Sequence, residues 1–226
     1  MTGTTVNAAA IICGSLMGVK GGHLLSEKVR DTIMAGLGLA VLLIGGQLAL
    51  KSNQLMIVIG SLIGGGIIGE LMGVEARLEA IGESLGRRFR GGGKVAEGFV
   101  TATLLYCVGA MAIMGAIQDG LGGRPEILYA KATLDGIASV ALASTLGIGV
   151  IFSAVPLFLY QGGLTLCANA AQQVLTPSVV QEMNAVGGLL IVAIALGMLG
   201  VKRLPVGNLL PAIFLVPPLM MIFASH

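Results

Sequence analysis

The sequence predicts an all-α integral membrane protein with about eight transmembrane helices. Hydrophobic residues make up 55% of the 226 positions and charged residues only 11%, whereas a soluble domain is about one quarter charged. The mean hydropathy is +0.95, and apolar stretches follow one another with only short polar connections. So few charges cannot cover a water-exposed surface. We therefore expect a single membrane domain over residues 1–226, with the lipid bilayer as its environment.

Eight apolar stretches are long enough to cross a bilayer, because a spanning helix needs about 20 mainly apolar residues. Charged or helix-breaking residues separate most of them. The weakest boundary lies between the fifth and sixth stretches, at residues 147–149, where no charge intervenes. The predicted spans cover residues 4–20, 31–50, 54–73, 97–118, 127–146, 148–172, 183–201 and 205–224.

Residues 74–90 form the one convincing surface helix in the sequence. Apolar residues recur there at spacings of three and four, and charged residues occupy the remaining positions, as is typical of an amphipathic helix. The apolar positions are Val74, Leu78, Ile81, Leu85 and Phe89. We expect this helix to lie along the cytoplasmic interface of the membrane.

The distribution of basic residues predicts the orientation, because cytoplasmic loops carry the excess of Lys and Arg. With the N-terminus outside, ten of the 13 basic residues fall on the cytoplasmic side, and only Lys51, Arg124 and Lys131 do not. The bias agrees with an even number of spans. Both termini are therefore predicted to be external.

Two pairs of segments suggest an internal repeat. Residues 4–18 align with residues 101–115, and residues 31–36 align with residues 131–136. A unit of three spans inverts when it is repeated, and inverted repeats recur in secondary transporters. The alternative is chance similarity between helices rich in Gly, Ala, Leu and Thr. The predicted organisation is repeat one at about 1–73, repeat two at about 97–172 and an additional two-helix unit at about 178–226.

Asp135 is the one acidic residue deep inside a predicted span, roughly 12 Å below the outer boundary. Lys131 precedes it by one helical turn, and Gln161 and Tyr160 reach a similar depth from the cytoplasmic side. Ser61 falls near the same level. These five residues are the candidate substrate or ion pathway. The alternative is that Lys131 and Asp135 form an ion pair that only fastens the fifth helix.

Small residues indicate where helices pack closely in lipid, since association there depends on packing. Gly14 and Gly18 form one such spacing, and Gly60 and Gly64 form another. We interpret both spacings as sites of close helix packing. An eight-span bundle is also small and rich in glycine, which favours a homodimer.

Several classes of chemistry have no support in the sequence. The three cysteines lie in separate apolar segments without ligand spacing, so we expect no disulfide, metal or cofactor. A net charge of +2 without a basic stripe excludes a nucleic-acid surface. We find no nucleophile–base pattern and no HExxH motif, and we therefore do not expect an enzyme.

The chain resembles a known bacterial family along nearly its whole length. The segments that carry the resemblance include GTTVNAAAIICGSLMG, GFVTATLLYCVGAMAIMGAIQDGL and RLPVGNLLPA. They are similar to the YdfK/YqgA-type membrane proteins, which are defined by a domain of unknown function. The resemblance implies a multi-pass protein of the bacterial cytoplasmic (inner) membrane and supplies no substrate.

Inverted repeats and intramembrane charges together favour a secondary transporter or permease of an unidentified small solute or ion. The alternative is a non-transporting membrane scaffold or regulatory subunit, in which the repeat and the Lys131–Asp135 pair serve packing alone.

Overall fold

A computed structural model describes residues 1–22, 24, 26–89 and 93–223, and these ranges form helices without β-strands. The predicted all-α membrane fold is confirmed. The helices are α1 Thr2–Gly22, α2 Glu27–Ala49, α3 Leu55–Met72, α4 Val74–Phe89, α5 Gly93–Cys107, α6 Ala110–Gly120, α7 Glu126–Leu146, α8 Gly149–Phe152, α9 Ala154–Leu166, α10 Ala168–Val174, α11 Pro177–Met198, α12 Val206–Leu209 and α13 Pro211–Phe223.

The fourth span is broken. Helices α5 and α6 are bent by 61° relative to each other at residues 108–109, whereas seven other segments are long and apolar enough to cross a membrane. Gly98 in α5 lies against Leu146 at one end of α7, and Gly115 in α6 lies against Leu128 at the other end. The bent pair therefore follows α7 from end to end. We count it as one crossing, which gives eight.

With eight crossings, Met1 and Phe223 lie on the same side of the bundle. We call the end that carries α4 the α4 face, and the other end the opposite face. Met1 is fixed at the opposite face, where its ammonium group lies 3.2 Å from the Asp119 carboxylate. Of the ten basic residues that the sequence assigns to the cytoplasm, Arg90 lies outside the described residues. The other nine belong to segments of the α4 face: Lys20, Lys28, Arg30, Arg77, Arg87, Arg88, Lys94, Lys202 and Arg203.

Capping residues, which a pattern of apolar residues does not detect, determine where two of the helices begin. The Ser26 hydroxyl accepts a hydrogen bond from the backbone N–H of Val29, so α2 begins four residues before the predicted span. Thr176 caps α11 in the same way, and Pro177 occupies its first turn. Helix α11 is the central element, since 78% of its span is buried.

Glycines bring helix backbones into contact at several seams, among them those of α1, α2 and α3. Gly14 and Gly18 in α1 face backbone carbonyls of α7, and Gly45 in α2 faces the backbone of α11. In α3 the close backbone approach to α12 and α13 occurs at Gly65 and Gly69. Any side chain at these positions would overlap the facing helix.

The second predicted glycine pair packs less closely than the sequence suggests. A Cβ atom at Gly60 would lie 3.8 Å from the Leu219 side chain, and one at Gly64 would lie 3.1 Å from Leu215. Both glycines therefore meet flexible side chains of α13 and not its backbone.

The packing does not confirm the inverted repeat. The most extensive helix contact joins α1 and α7. If spans one to three repeated as spans four to six, the corresponding contact would join α5–α6 and α2. In the described ranges those helices share at most a slight contact. The repeat stays a prediction.

Candidate functional site

A buried ion pair lies at the centre of the candidate site. The Lys131 Nζ atom is 2.5 Å from Oδ2 of Asp135, one helical turn away on α7. The Asn7 side-chain amide of α1 donates to the same carboxylate oxygen at 3.0 Å, and it also lies 3.4 Å from Oε1 of Gln161 in α9. We call Asn7, Lys131, Asp135 and Gln161 the central cluster.

The central cluster is closed to solvent. Asn7 and Gln161 are 0% exposed, Lys131 is 6% exposed and Asp135 is 7% exposed. A charge at such a position needs a partner, because water cannot compensate it. Lys131 and Asp135 neutralise each other, so no net charge is buried.

Two polar atoms of the central cluster have no hydrogen-bond partner. These are Oδ1 of Asn7, an acceptor, and Nε2 of Gln161, a donor. Leaving a buried polar group unpaired costs about 1–3 kcal/mol, so both atoms are available to a molecule that could pair with them.

The break in the fourth span lies beside the central cluster. Tyr106, one residue before the end of α5, is fully buried, and its hydroxyl is 2.7 Å from the Ser139 hydroxyl of α7. The ring of Tyr106 also lies 6.0 Å from the Lys131 Nζ atom, at the outer limit of a cation–π contact. Gly109 adopts a φ of 134° at the break. Only glycine adopts this conformation readily, so the residue allows the chain to bend next to the ion pair.

The structure brings some of the predicted site residues together and separates others. Lys131, Asp135 and Gln161 meet through Asn7. Tyr160 is half-buried beside Gln161 and makes no described hydrogen bond with the central cluster. Ser61 is fully buried on α3, which in the described ranges shares at most slight contacts with α1, α7 and α9. Depth along a span does not show which helices are neighbours.

The sequence missed three contributors. Asn7 lies near the start of the first predicted span, where a polar residue is not unusual, yet it links α1, α7 and α9. Serines in helices often bond a carbonyl of their own helix, but the Ser139 hydroxyl pairs with Tyr106. The only signal for Tyr106 was its place in an apolar span, where a buried tyrosine hydroxyl needs a partner.

A second polar region lies on the α4 face. The Glu75 carboxylate accepts a 2.5 Å hydrogen bond from the backbone N–H of Gly207, and the Asn208 side chain accepts one from the backbone N–H of Glu75 at 2.8 Å. The Asn208 amide donates to Glu70 at 2.6 Å. Burial raises the pKa of Glu75, the Gly207 hydrogen bond opposes this, and the negative charge of Glu79 adds to it. These contacts fasten α4 to α12.

A cavity of about 560 Å³ opens between α4, α5, α11 and the segment before α12. We call it the α4 vestibule. Its lining is mainly apolar, with a small set of polar residues: Glu75, Glu79, Glu83, Glu97, Thr101 and Arg203. Within the described ranges, no three His, Cys, Asp or Glu residues converge closely enough to hold a metal ion.

One further buried acid is explained by its contacts. Glu182 of α11 is 2% exposed and accepts hydrogen bonds from the Ser52 hydroxyl at 2.6 Å and the Asn53 backbone N–H at 2.8 Å. It ties the α2–α3 connection to α11 at the opposite face. We assign it a structural role.

The fold and the buried polar cluster define the class as a polytopic, all-helical membrane protein. The sequence model for a protein family of unknown function, DUF554, matches residues 2–221. The chain belongs to this family.

Two curated relatives match nearly the full length. The uncharacterized membrane protein YdfK of Bacillus subtilis (strain 168) is 33% identical over 230 aligned positions, covering 100% of this chain and 97% of the relative. The uncharacterized protein YqgA of Escherichia coli (strain K12) is 33% identical over 223 positions, covering 96% and 95%. No solved structure matches the chain.

Proposed function

We propose that the protein is a secondary transporter of a small polar solute or ion, and that the central cluster is its substrate site. The observation that supports this is a buried ion pair with unpaired amide atoms beside a broken span. Intramembrane ionisable groups are costly and by default functional. Secondary transporters place their sites near the membrane midplane, next to discontinuous helices.

The unpaired atoms indicate which hydrogen-bonding groups the solute contains. Oδ1 of Asn7 accepts a hydrogen bond and Nε2 of Gln161 donates one, so a solute with both a donor and an acceptor suits the site. Lys131 and Asp135 add one charge of each sign when their pair opens. The closed central cluster corresponds to an occluded state, and alternating access would expose it to each face in turn.

A non-transporting scaffold or regulatory subunit is the second candidate. The observation that favours it is the self-neutralised Lys131–Asp135 pair, which has a direct contact of 2.5 Å and little exposure. On this reading, the pair and the glycine seams hold the bundle together and nothing more.

Location, orientation and assembly belong to the same proposal. We place the protein in the bacterial cytoplasmic membrane with the α4 face in the cytoplasm and both ends outside, on the strength of the basic residues concentrated there. We propose a homodimer because the bundle is small and its lipid-facing surface contains glycines without close neighbours, such as Gly36 and Gly46. We propose no enzymatic activity.

Uptake by proteoliposomes tests the proposal. The purified protein would be reconstituted and offered radiolabelled pools of amino acids, monocarboxylates, sugars, sodium and potassium, with and without an imposed pH gradient. We expect saturable uptake from at least one pool. The double variant Lys131→Met with Asp135→Leu should reconstitute equally well and show no uptake, because it removes both charges together.

Arg124→Gln is the matched control, since Arg124 forms an exposed pair with Glu126 at 4.0 Å outside the site. Its uptake should equal that of the parent. Absence of uptake from every pool, or equal uptake by the double variant, would favour the scaffold.

A further inference from the structure

The α4 vestibule has the size and lining of a site for an organic molecule. Ligand sites are typically clefts of about 300–1,000 Å³ with apolar walls and a few polar groups, and this one measures about 560 Å³. Leu78 of α4, Val100 of α5 and Ile194 of α11 contribute to its apolar walls. An apolar molecular body therefore has surfaces to contact.

Among the described side chains that line the α4 vestibule, acids outnumber bases. Four glutamates line it, and Arg203 is the one described basic residue among its lining residues. The Arg203 guanidinium lies 3.5 Å from the Glu97 carboxylate, but its side chain is 86% exposed, so it neutralises at most one acid. The repulsion between Glu79 and Glu75 contributes to the raised pKa of Glu75. A bound cation would relieve this repulsion.

The Thr101 side chain provides an independent sign of a ligand. Thr101 of α5 lines the α4 vestibule, is 4% exposed, and its hydroxyl makes no described hydrogen bond. Threonines in helices often bond the carbonyl of the preceding turn, and Thr133 and Thr145 of α7 do so. An unpaired hydroxyl in the wall of a cavity is available to an ammonium group.

The geometry favours an organic cation over a metal ion. A metal ion needs several ligands that converge on one point, and no such group of acids exists within the described ranges. The acids are instead distributed around a cavity with mainly apolar walls. A primary ammonium group on an apolar body matches both features, because the ammonium donates three hydrogen bonds.

We propose that the α4 vestibule is a binding site for amphiphilic primary amines, with Glu97 and Thr101, one helical turn apart on α5, contacting the ammonium group and Glu79 of α4 adding its negative charge from the facing wall. The site is separate from the central cluster, and its existence does not depend on transport. Two sources share this chemistry: a free amine and the headgroup of phosphatidylethanolamine.

Binding of dansylcadaverine tests the proposal. This fluorescent probe has an aryl body and a primary ammonium, and its N-acetylated form is a matched neutral probe. Titrations would use the full chain in phosphatidylcholine nanodiscs, which carry no net lipid charge. We expect saturable binding that Glu79→Gln weakens by about fivefold and the double variant Glu79→Gln with Glu97→Gln weakens further. Thr101→Val should weaken binding by about fivefold through its lost hydrogen bond.

Arg203→Gln should tighten binding, because it releases Glu97 from its ion pair. Glu27→Gln, at an exposed acid of α2 on the same face, is the matched control and should leave binding unchanged. Equal affinity for the acetylated probe, or unchanged binding in the double variant, would overturn the proposal. Adding phosphatidylethanolamine to the nanodiscs distinguishes the sources: competition identifies the lipid headgroup, and unchanged binding identifies a free amine.

Discussion

Replacement of Asp135 tests the energetic role of the ion pair. Asp135→Asn preserves the shape of the side chain, and its amide oxygen can still accept the hydrogen bond from Asn7, but Lys131 loses its counter-charge. Removing one partner of a buried pair costs about 3–5 kcal/mol. For a chain of this size, that corresponds to a fall of about 6–20 °C in melting temperature.

The double variant reverses the expected effect. Lys131→Met with Asp135→Leu removes both charges, and replacing a buried pair by apolar residues is often neutral or stabilising. We expect it to melt within about 4 °C of the parent or above it. Arg124→Gln, which breaks the exposed 4.0 Å pair with Glu126, should cost less than about 1 kcal/mol.

A thiol-reactive dye can report the melting temperatures once the exposed Cys13 and Cys167 are replaced by Ser, because the remaining Cys107 is half-buried and becomes reactive when the bundle opens. Two results would contradict this expectation: a melting temperature of Asp135→Asn equal to that of the parent, or a melting temperature of the double variant as low as that of Asp135→Asn. The first result would mean that the pair contributes no net stability. The second would mean that the residues around the pair need its charges, so that apolar side chains cannot replace them.

Three further predictions concern packing, pH and topology. Gly69→Ala should lower the free energy of unfolding by about 1–3 kcal/mol in the same melting assay because its Cβ would overlap α12, whereas Gly21→Ala should leave it unchanged, since no atom of another helix lies within 4 Å of a Cβ there. The raised pKa of Glu75 means that its contribution to stability is fully present below its unfolded-state pKa and is lost as pH rises through its folded-state pKa. The melting temperature of the parent should therefore fall relative to that of Glu75→Gln as the pH rises above the ordinary glutamate pKa of about 4.3, and parallel profiles would contradict this. In intact cells, on a cysteine-free background, an impermeant maleimide should label Leu50→Cys but not Leu24→Cys, both highly exposed positions; the reverse pattern would invert the orientation.

Hydropathy was enough to predict the class of fold and most of its spans. The fourth span differs from the prediction: the apolar pattern indicates one continuous helix, whereas the structure has two helices bent by 61° relative to each other. The break at Gly109 depends on one backbone conformation and on packing against α7. Both arise only when the helices assemble, so a window of hydropathy cannot reveal them.

The candidate site was partly predictable because depth follows from helix geometry. Counting residues along α7 and α9 placed Asp135 and Gln161 at the same level, and the structure connects them through Asn7. Depth could not indicate that Ser61 belongs to a different seam, since the identity of neighbouring helices is a tertiary property. Helix α4 was recognised by its period, whereas its attachment to α12 through Asn208 had no local signal.

The most direct test of transport at the central cluster is accessibility from both sides of the membrane. Ser139→Cys would place a thiol beside Tyr106 at a fully buried position, and Ser61→Cys would place one at an equally buried position away from the central cluster. Both would be made on a cysteine-free background and treated with a small impermeant methanethiosulfonate in right-side-out and inside-out vesicles. Alternating access predicts that Ser139→Cys reacts from both sides and Ser61→Cys from neither. Equal protection of the two thiols from both sides would contradict transport through the central cluster.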